Sequence, residues 1–364
     1  MHGHGARGTM TSAERLAIAA GIVCSNIERT PVAKPVSKGR HNWHGACFTI
    51  VAGLISAKFM LRSAFYTGLV TLGVPALMRR WRAAGVILCY HNVLPPRNAR
   101  VVGDAGVHLS FERFAEQVHW LVRRYAIVPL AELVARLRGA QRLRGTAALT
   151  FDDGYDGVFA HAWPLLHDLR VPATVFVVAD RPDRRDAFWW DHPDLARHTA
   201  PPDRERWLTE LKGDAQSITS ALSLATPAGF PASHRPAGWD AIAAAAAGGG
   251  LEIGVHSATH RTLTRLDDGE FEREIVASRE AIRVRAGVEP VLFAYPYGIW
   301  DARVRDAVRK AGYHGAVTLD YGLVGARHDP WALPRVNVPA SISSAAFQAW
   351  AAGLHPCRGQ ARSG

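Results

Sequence analysis

From residue 86 onward, short apolar segments alternate with longer segments of helical periodicity, and this alternation most constrains the fold. The short segments are typical of buried strands: "VILCY", "AALTF", "ATVFVVA", "LEIGVH", "PVLFAYP" and "GAVTL". Segments such as "SFERFAEQVHWLVRRY", with Ser110 as its N-cap, are typical of the helices between them. Repeated β-α units with right-handed crossovers predict a parallel sheet or barrel.

The composition of the chain says more about its possible binding partners than about its fold. The chain has 364 residues, of which 48% are hydrophobic, so it can bury one large α/β core or two modest ones. Its formal net charge of +11 favours anionic partners such as phospholipid head groups, acidic polysaccharide or nucleic acid. We find no basic-aromatic stripe, which argues against a nucleic-acid partner, and no feature that requires a protein partner. The four cysteines are scattered without a CxxC pair, which argues against a cysteine zinc site.

The N-terminal part differs in composition from the rest. Residues 1–45 mix Gly, His, Ser, Pro and basic residues without periodicity, and we expect a disordered basic extension there. Residues 46–84 contain two apolar patches, each shorter than the roughly 20 residues of a membrane-spanning helix. The second patch ends in "RRWR" and predicts either a helix lying on an anionic membrane surface or a helix packed on the core.

The remaining boundaries follow from the β-α pattern. Residues 85–345 form the α/β domain, and residues 346–364 form a C-terminal tail. We find no signal-peptide cleavage site, so we expect a location in the cytoplasm or at the periphery of the inner membrane.

Polar clusters follow four of the predicted strands. They read "YHNV", "TFDDGY", "HSATH" and "YPYG". Functional side chains of parallel β-α folds lie at the C-terminal ends of strands, so these clusters are expected to meet at one end of the domain.

The second and third clusters together suggest a metal site. His256 and His260 are four residues apart and, with one carboxylate, would form a three-ligand open site of the hydrolytic kind. If Asp153 binds the cation, the cation offsets the repulsion between the paired aspartates, and Asp152 can accept a proton from water. Chance remains an alternative, because the chain has 17 histidines and an Asp-Asp-Gly sequence can be a solvated turn.

"TFDDGY" and "HSATH" resemble the first two motifs of the polysaccharide deacetylases, the NodB-homology group of carbohydrate esterase family 4. The resemblance covers residues 85–340 and implies a distorted (β/α)7 barrel. It also implies removal of N-acetyl groups from an amino-sugar polysaccharide or oligosaccharide, either an exopolysaccharide or cell-wall material. The family uses a divalent metal, which is most often Zn²⁺, with Co²⁺ and Ni²⁺ as alternatives.

The resemblance also implies roles for individual residues. Asp152 corresponds to the general base, and Asp153, His256 and His260 correspond to the metal ligands. In the mechanism that this implies, a backbone N–H near Tyr155 would help to hold the oxyanion. "FAYPYG" is similar to the third motif, which lines the substrate groove and contributes Tyr295, Pro296 and Tyr297.

Two features depart from the common family pattern. Ala294 stands where the third motif usually has an arginine that orients the base, and Arg335 is either its replacement or an ordinary surface arginine. "ILCYHNV" resembles the first strand of the exopolysaccharide-type subgroup, which implies that His91 is the general acid; the alternative is a core histidine. In "FWWDHPDL", Trp190 either forms a wall of the sugar groove or caps the barrel.

Two other functions remain open on the sequence. A glycan-binding barrel with weak or no catalysis would account for Ala294, and a deacylase acting on a different acyl group would use the same site.

Overall fold

The computed structural model describes residues 61–97, 99–195, 201–224 and 230–355, with the backbone alone at residues 201–202. The extension expected at 1–45 lies outside these ranges, as do residues 46–60 and 356–364 of the two units predicted at 46–84 and 346–364.

Seven parallel strands form a closed barrel, which confirms the predicted (β/α)7 fold. β1 pairs with β5 on one side and with β10 on the other, and this double pairing closes the sheet. The barrel strands are β1 Val86–Tyr90, β5 Thr146–Phe151, β6 Ala173–Val177, β7 Leu251–Val255, β8 Leu292–Ala294, β9 Gly315–Tyr321 and β10 Leu333–Asn337. The barrel is distorted, because β7 and β8 pair only at Val255 and Phe293.

Three shorter strands lie outside the barrel. β2, Asn92–Leu94, pairs with β3, His108–Ser110, just beyond the C-terminal end of β1. β4, Ala126–Ile127, adds to the start of β5.

Helices cover the outside of the barrel. A helix over residues 61–71 (α1) is followed by α2 Val74–Trp81, α3 Phe111–Val122, α4 Leu130–Arg138, α5 Trp163–Asp168, α6 Arg181–Arg184, α7 Pro201–Thr209, α8 Ala215–Ala221, α9 Trp239–Ala247, α10 Asp268–Phe271, α11 Ser278–Ala286, α12 Ala302–Lys310 and α13 Ser344–Ala351. Two π-helical turns, Val158–Ala162 and Glu272–Ala277, lead into α5 and α11. None of the helices in the described ranges is both long and apolar enough to cross a bilayer.

Strand alternation divides the apolar residues into an inner and an outer core. Along β1, Ile87 belongs to the inner cluster, whereas Val86 and Leu88 belong to the outer cluster against the helices. Along β8, Leu292 and Ala294 face inward. The position of a residue in its strand therefore decides whether its side chain can reach the centre of the barrel.

The C-terminal boundary differs from the predicted one. α13 crosses the boundary expected between residues 345 and 346, and its Phe347 and Trp350 are buried in the outer core. Most of the predicted tail that the structure describes is therefore part of the barrel domain.

Candidate active site

All four polar clusters lie at the C-terminal ends of barrel strands. His91 follows β1, Asp152 follows β5, His256 follows β7 and Tyr295 follows β8. Because the barrel is parallel and closed, these ends share one rim.

Asp153, His256 and His260 place three ligand atoms in a triangle. His256 Nε2 lies 3.2 Å from His260 Nε2, and Asp153 Oδ1 lies 3.3 Å from His260 Nε2 and 3.6 Å from His256 Nε2. Ligands bound about 2.0–2.2 Å from a tetrahedral zinc ion are about 3.3–3.6 Å apart, so the triangle has the dimensions of one face of such a site.

The chemistry of the triangle also fits a cation. The Nδ1–H of His256 donates to the Ala294 carbonyl at 2.8 Å, which leaves its Nε2 lone pair directed at the other two ligand atoms. Burial lowers the pKa of His256 to about 4 and that of His260 to about 3, and it raises the pKa of Asp153 to about 6. At neutral pH all three groups are therefore in the deprotonated form that binds a metal.

Local hydrogen bonds shape the loop that carries the two histidines. Ser257 Oγ accepts the His260 backbone N–H at 2.9 Å. The buried Glu274, from the π-helical turn before α11, accepts the backbone N–H groups of Ala258 and Thr259 at 3.1 and 3.0 Å. Glu274 lies outside every motif in the sequence and was not predicted to support the site.

Asp152 is held by a buried arginine from β10, two strands away around the barrel. Arg335 Nη1 donates to Asp152 Oδ1 at 2.7 Å, and Nη2 donates to Oδ2 at 2.6 Å. Arg335 is fully buried, and it also donates to the Thr150 hydroxyl and the Thr318 carbonyl. Burial opposes ionisation of Asp152, but the charge and the hydrogen bonds of Arg335 outweigh it and keep the carboxyl pKa well below its usual range.

Cys89 is a further partner of Asp152 that the sequence did not reveal. Its Sγ lies 3.5 Å from Asp152 Oδ2. Burial raises the thiol pKa, so Cys89 remains an S–H donor at neutral pH. His91, two residues along the chain, is half-buried and has a ring nitrogen within 4.8 Å of ligand atoms of Cys89 and Asp152.

Backbone strain concentrates at this rim. Ten non-glycine residues of the described ranges have positive φ, and four of them are Asp153, Ser257, His260 and Tyr297. Such conformations cost about 1–3 kcal/mol each and persist only where surrounding contacts impose them. The turn at Asp153, with φ of 71°, is what directs its carboxylate away from Asp152.

A second buried network supports the rim. Tyr155 Oη donates to Asp191 Oδ2 at 2.6 Å and accepts from Trp190 Nε1 at 2.8 Å. His108 Nε2 donates to Asp191 Oδ1 at 2.8 Å, and Asn92 contacts the other His108 nitrogen at 2.9 Å. The Trp190 ring lies 4.8 Å from that of His260, but Trp190 is only 6% exposed. Trp190 therefore supports Tyr155 and His260, and little of its ring is left exposed to contact a sugar.

The backbone N–H of Tyr155 finds no protein acceptor within the described residues. Tyr155 bridges Pro236 in an antiparallel pair whose hydrogen bonds are made by Gly154 and Asp156, so its own N–H points away from the bridge.

The third motif contributes only part of what was predicted. Tyr297 reaches the site, with its ring 4.4 Å from His260. Tyr295 does not, because it follows the inward-facing Ala294 and alternation turns it into the outer core, where its hydroxyl donates to the Trp331 carbonyl at 2.7 Å. Pro296 is buried between them.

The fold and the site define a (β/α)7-barrel protein with a candidate metal centre beside an arginine-bound carboxylate. A model of the polysaccharide deacetylase family matches residues 140–316, which include both the Asp-Asp and the His-His pairs. Residues 140–316 therefore carry a polysaccharide deacetylase domain, as the motifs predicted.

A curated relative is similar over most of the same region. A protein of Escherichia coli (strain K12) named poly-beta-1,6-N-acetyl-D-glucosamine N-deacetylase is 28% identical over 244 residues, or 64% of this chain and 34% of that protein. The chain thus spans about a third of the length of that relative.

Two solved structures share the fold. The Streptococcus pyogenes deacetylase PplD in complex with acetate has a TM-score of 0.52 at 17% identity. The match covers 72% of this chain and 96% of the PplD chain. IcaB from Ammonifex degensii has a TM-score of 0.50 at 21% identity, and the match covers 74% of this chain and 98% of the IcaB chain.

Proposed function

We propose that this chain hydrolyses N-acetyl groups of an amino-sugar polysaccharide of the exopolysaccharide type, with Asp152 as general base. The observation that carries the proposal is the separation of two carboxylates with unlike partners. Asp152 is ionised and fixed by Arg335, while Asp153 completes a triangle with two histidines.

Asp153, His256 and His260 would hold a divalent cation, Zn²⁺ first among them, and the ion would supply Lewis acidity toward the acetamide carbonyl and water. The fit of the three ligand atoms, and their deprotonated state at neutral pH, support this proposal.

The protein's own groups would carry the proton transfers. Asp152 accepts a proton from the attacking water as the new C–O bond forms at the acetamide carbon. The Tyr155 N–H, which lacks a protein acceptor in the described part of the chain, donates to the oxyanion. His91 gives a proton to the nitrogen as the C–N bond breaks, so the products are acetate and a free amine.

The substrate class rests on the relatives. The name of the E. coli relative specifies poly-β-1,6-N-acetylglucosamine, and we propose an N-acetylglucosamine polymer or oligomer here. Tyr297, half-buried beside His260, is the aromatic side chain best placed to contact a sugar ring.

The test is acetate release from β-1,6-linked N-acetylglucosamine oligomers with added Zn²⁺. We expect Asp152→Asn to lose about 100-fold or more in kcat while retaining its metal, because the proton acceptor is lost and the three proposed ligand residues are unchanged. His256→Ala should lose activity and metal together. Asp168→Asn changes an exposed aspartate, whose side chain is 83% accessible, and should match the parent.

Two outcomes would overturn the proposal. One is full activity of Asp152→Asn with the metal bound. The other is tight oligosaccharide binding without turnover under any divalent metal, which would instead identify a glycan-binding barrel. A panel of N-acyl and O-acyl substrates separates deacetylation from hydrolysis of another acyl group.

A further inference from the structure

Exposed apolar side chains are concentrated on one small part of the surface. The described residues contain nine large hydrophobic side chains that are exposed, and five of them lie within residues 61–81. We call these five the α1-α2 face: Leu61, Phe65, Leu72, Leu77 and Trp81. Leu72 is 80% exposed and Trp81 is 71% exposed, so the barrel does not cover them.

The two helices are docked on the barrel by their opposite side. Tyr66 is buried, with its ring 6.4 Å from that of Trp350 on α13. The Arg79 guanidinium lies over the rings of Trp120 and Tyr125, and Arg82 donates to the Gly353 carbonyl at 3.1 Å. The inner side of α1 and α2 is thus fixed, and the α1-α2 face is presented outward.

The spacing of the exposed residues gives each helix an apolar stripe. Leu61 and Phe65 are one turn apart on α1, and Leu77 and Trp81 are one turn apart on α2. Four arginines accompany them, of which Arg62, Arg80 and Arg82 are exposed, and residues 61–85 contain no acidic residue. Leucine and aromatic side chains flanked by arginine are suited to the boundary between head groups and acyl chains of an anionic bilayer.

We infer that the α1-α2 face binds an anionic phospholipid membrane. The positive charge around the apolar stripe is what favours this partner over a second copy of the chain, whose arginines would repel one another. The inference does not depend on the proposed activity.

The position of the α1-α2 face also determines how the barrel would be oriented on the membrane. Four residues separate Trp81 from Val86, where β1 begins, whereas the candidate active site follows the strands' C-terminal ends. Trp81 therefore lies at the end of the barrel opposite the candidate site. A membrane bound there leaves the active-site rim directed away from the lipid, toward polymer in the adjoining aqueous phase.

The experiment is sedimentation of the full chain with phosphatidylcholine vesicles, with and without phosphatidylglycerol. We expect binding that requires the anionic lipid and weakens with salt. The variant F65S/L72S/L77S/W81S should lose at least about tenfold in partition coefficient. The variant V276S/V284S removes two other exposed apolar side chains, 40% and 63% exposed, and should bind like the parent. Unchanged thermal unfolding and acetate release in both variants control for misfolding.

Fluorescence quenching by brominated lipid tests the contact itself, even if another segment also binds the membrane. We expect Trp81→Phe to lose part of the quenching seen in the parent, and Trp300→Phe, at the active-site end, to retain it. Equal quenching in the parent and Trp81→Phe would overturn the inference, because Trp81 would then not meet lipid. It would also be overturned if light scattering showed a dimer of the parent that the four-serine variant abolishes, since a second copy would then cover the face.

Discussion

Asp152 and Asp153 are neighbours in sequence, yet their carboxylates face different partners. Asp152 continues the inward direction of Thr150 and meets Arg335, whereas the left-handed turn at Asp153 brings its carboxylate to the two histidines. Repulsion between the paired aspartates is offset by a guanidinium on one side and, in our proposal, by a cation on the other.

Arg335 stabilises the fold as well as positioning Asp152. Arg335→Met leaves a buried carboxylate without its partner and should reduce the free energy of unfolding by about 3–5 kcal/mol. The double variant Arg335→Met/Asp152→Asn should be more stable than Arg335→Met alone, because no unpaired charge remains. Urea unfolding of the four proteins in the cycle measures the coupling, and additive costs would contradict it.

At the scale of elements, the rim depends on how segments outside the barrel pack on it. Asp191 and Trp190 belong to the short 3-10 turn Trp189–Asp191, which enters the Tyr155 network from a Pro-rich and charged region. β2 supplies Asn92 to the same network and also packs against the start of the π-helical turn that follows the Asp-Asp motif.

Gly157 tests this packing. A Cβ at Gly157 would lie 2.3 Å from both the Val93 carbonyl oxygen and Asn92 Oδ1, and its φ of −60° means that conformation adds no further strain. Gly157→Ala should therefore destabilise the protein by about 1–3 kcal/mol through overpacking. Gly248, also helical at the end of α9, has its nearest contacts at 3.5 and 3.6 Å, and Gly248→Ala should change stability by less than about 0.5 kcal/mol. If urea unfolding gave the two variants the same free energy of unfolding, β2 would be able to move away from the added methyl group without loss of stability, and the prediction would be wrong.

At the scale of the whole molecule, the candidate metal centre joins distant parts of the chain. Asp153 follows β5 and the two histidines follow β7, so the triangle exists only when β5, β6 and β7 are assembled side by side in the folded sheet. Binding that occurs only in the native state adds stability by mass action, about 2.7 kcal/mol at a free metal concentration 100-fold above Kd.

We therefore expect Zn²⁺ to raise the Tm of chelator-treated protein by several degrees, as measured by calorimetry. Asp153→Ala should show no such rise, whereas Asp168→Ala, which changes an exposed aspartate, should respond like the parent. A Zn²⁺ response that survives in Asp153→Ala would place the stabilising metal elsewhere.

The sequence by itself determined the features that depend on local patterns. Strand and helix periodicity predicted a parallel β-α sheet or barrel, and the resemblance of the motifs implied the barrel. The polar clusters after four strands marked the rim, because alternation and strand ends are properties of neighbouring residues. Only the tertiary structure decided which distant side chains meet there. Arg335 reaches Asp152 across 183 positions, Asp191 reaches Tyr155 from a different segment, and Tyr295 turns outward. These contacts follow from barrel closure and from the face of the strand on which each residue falls, and no local pattern records how distant strands come together.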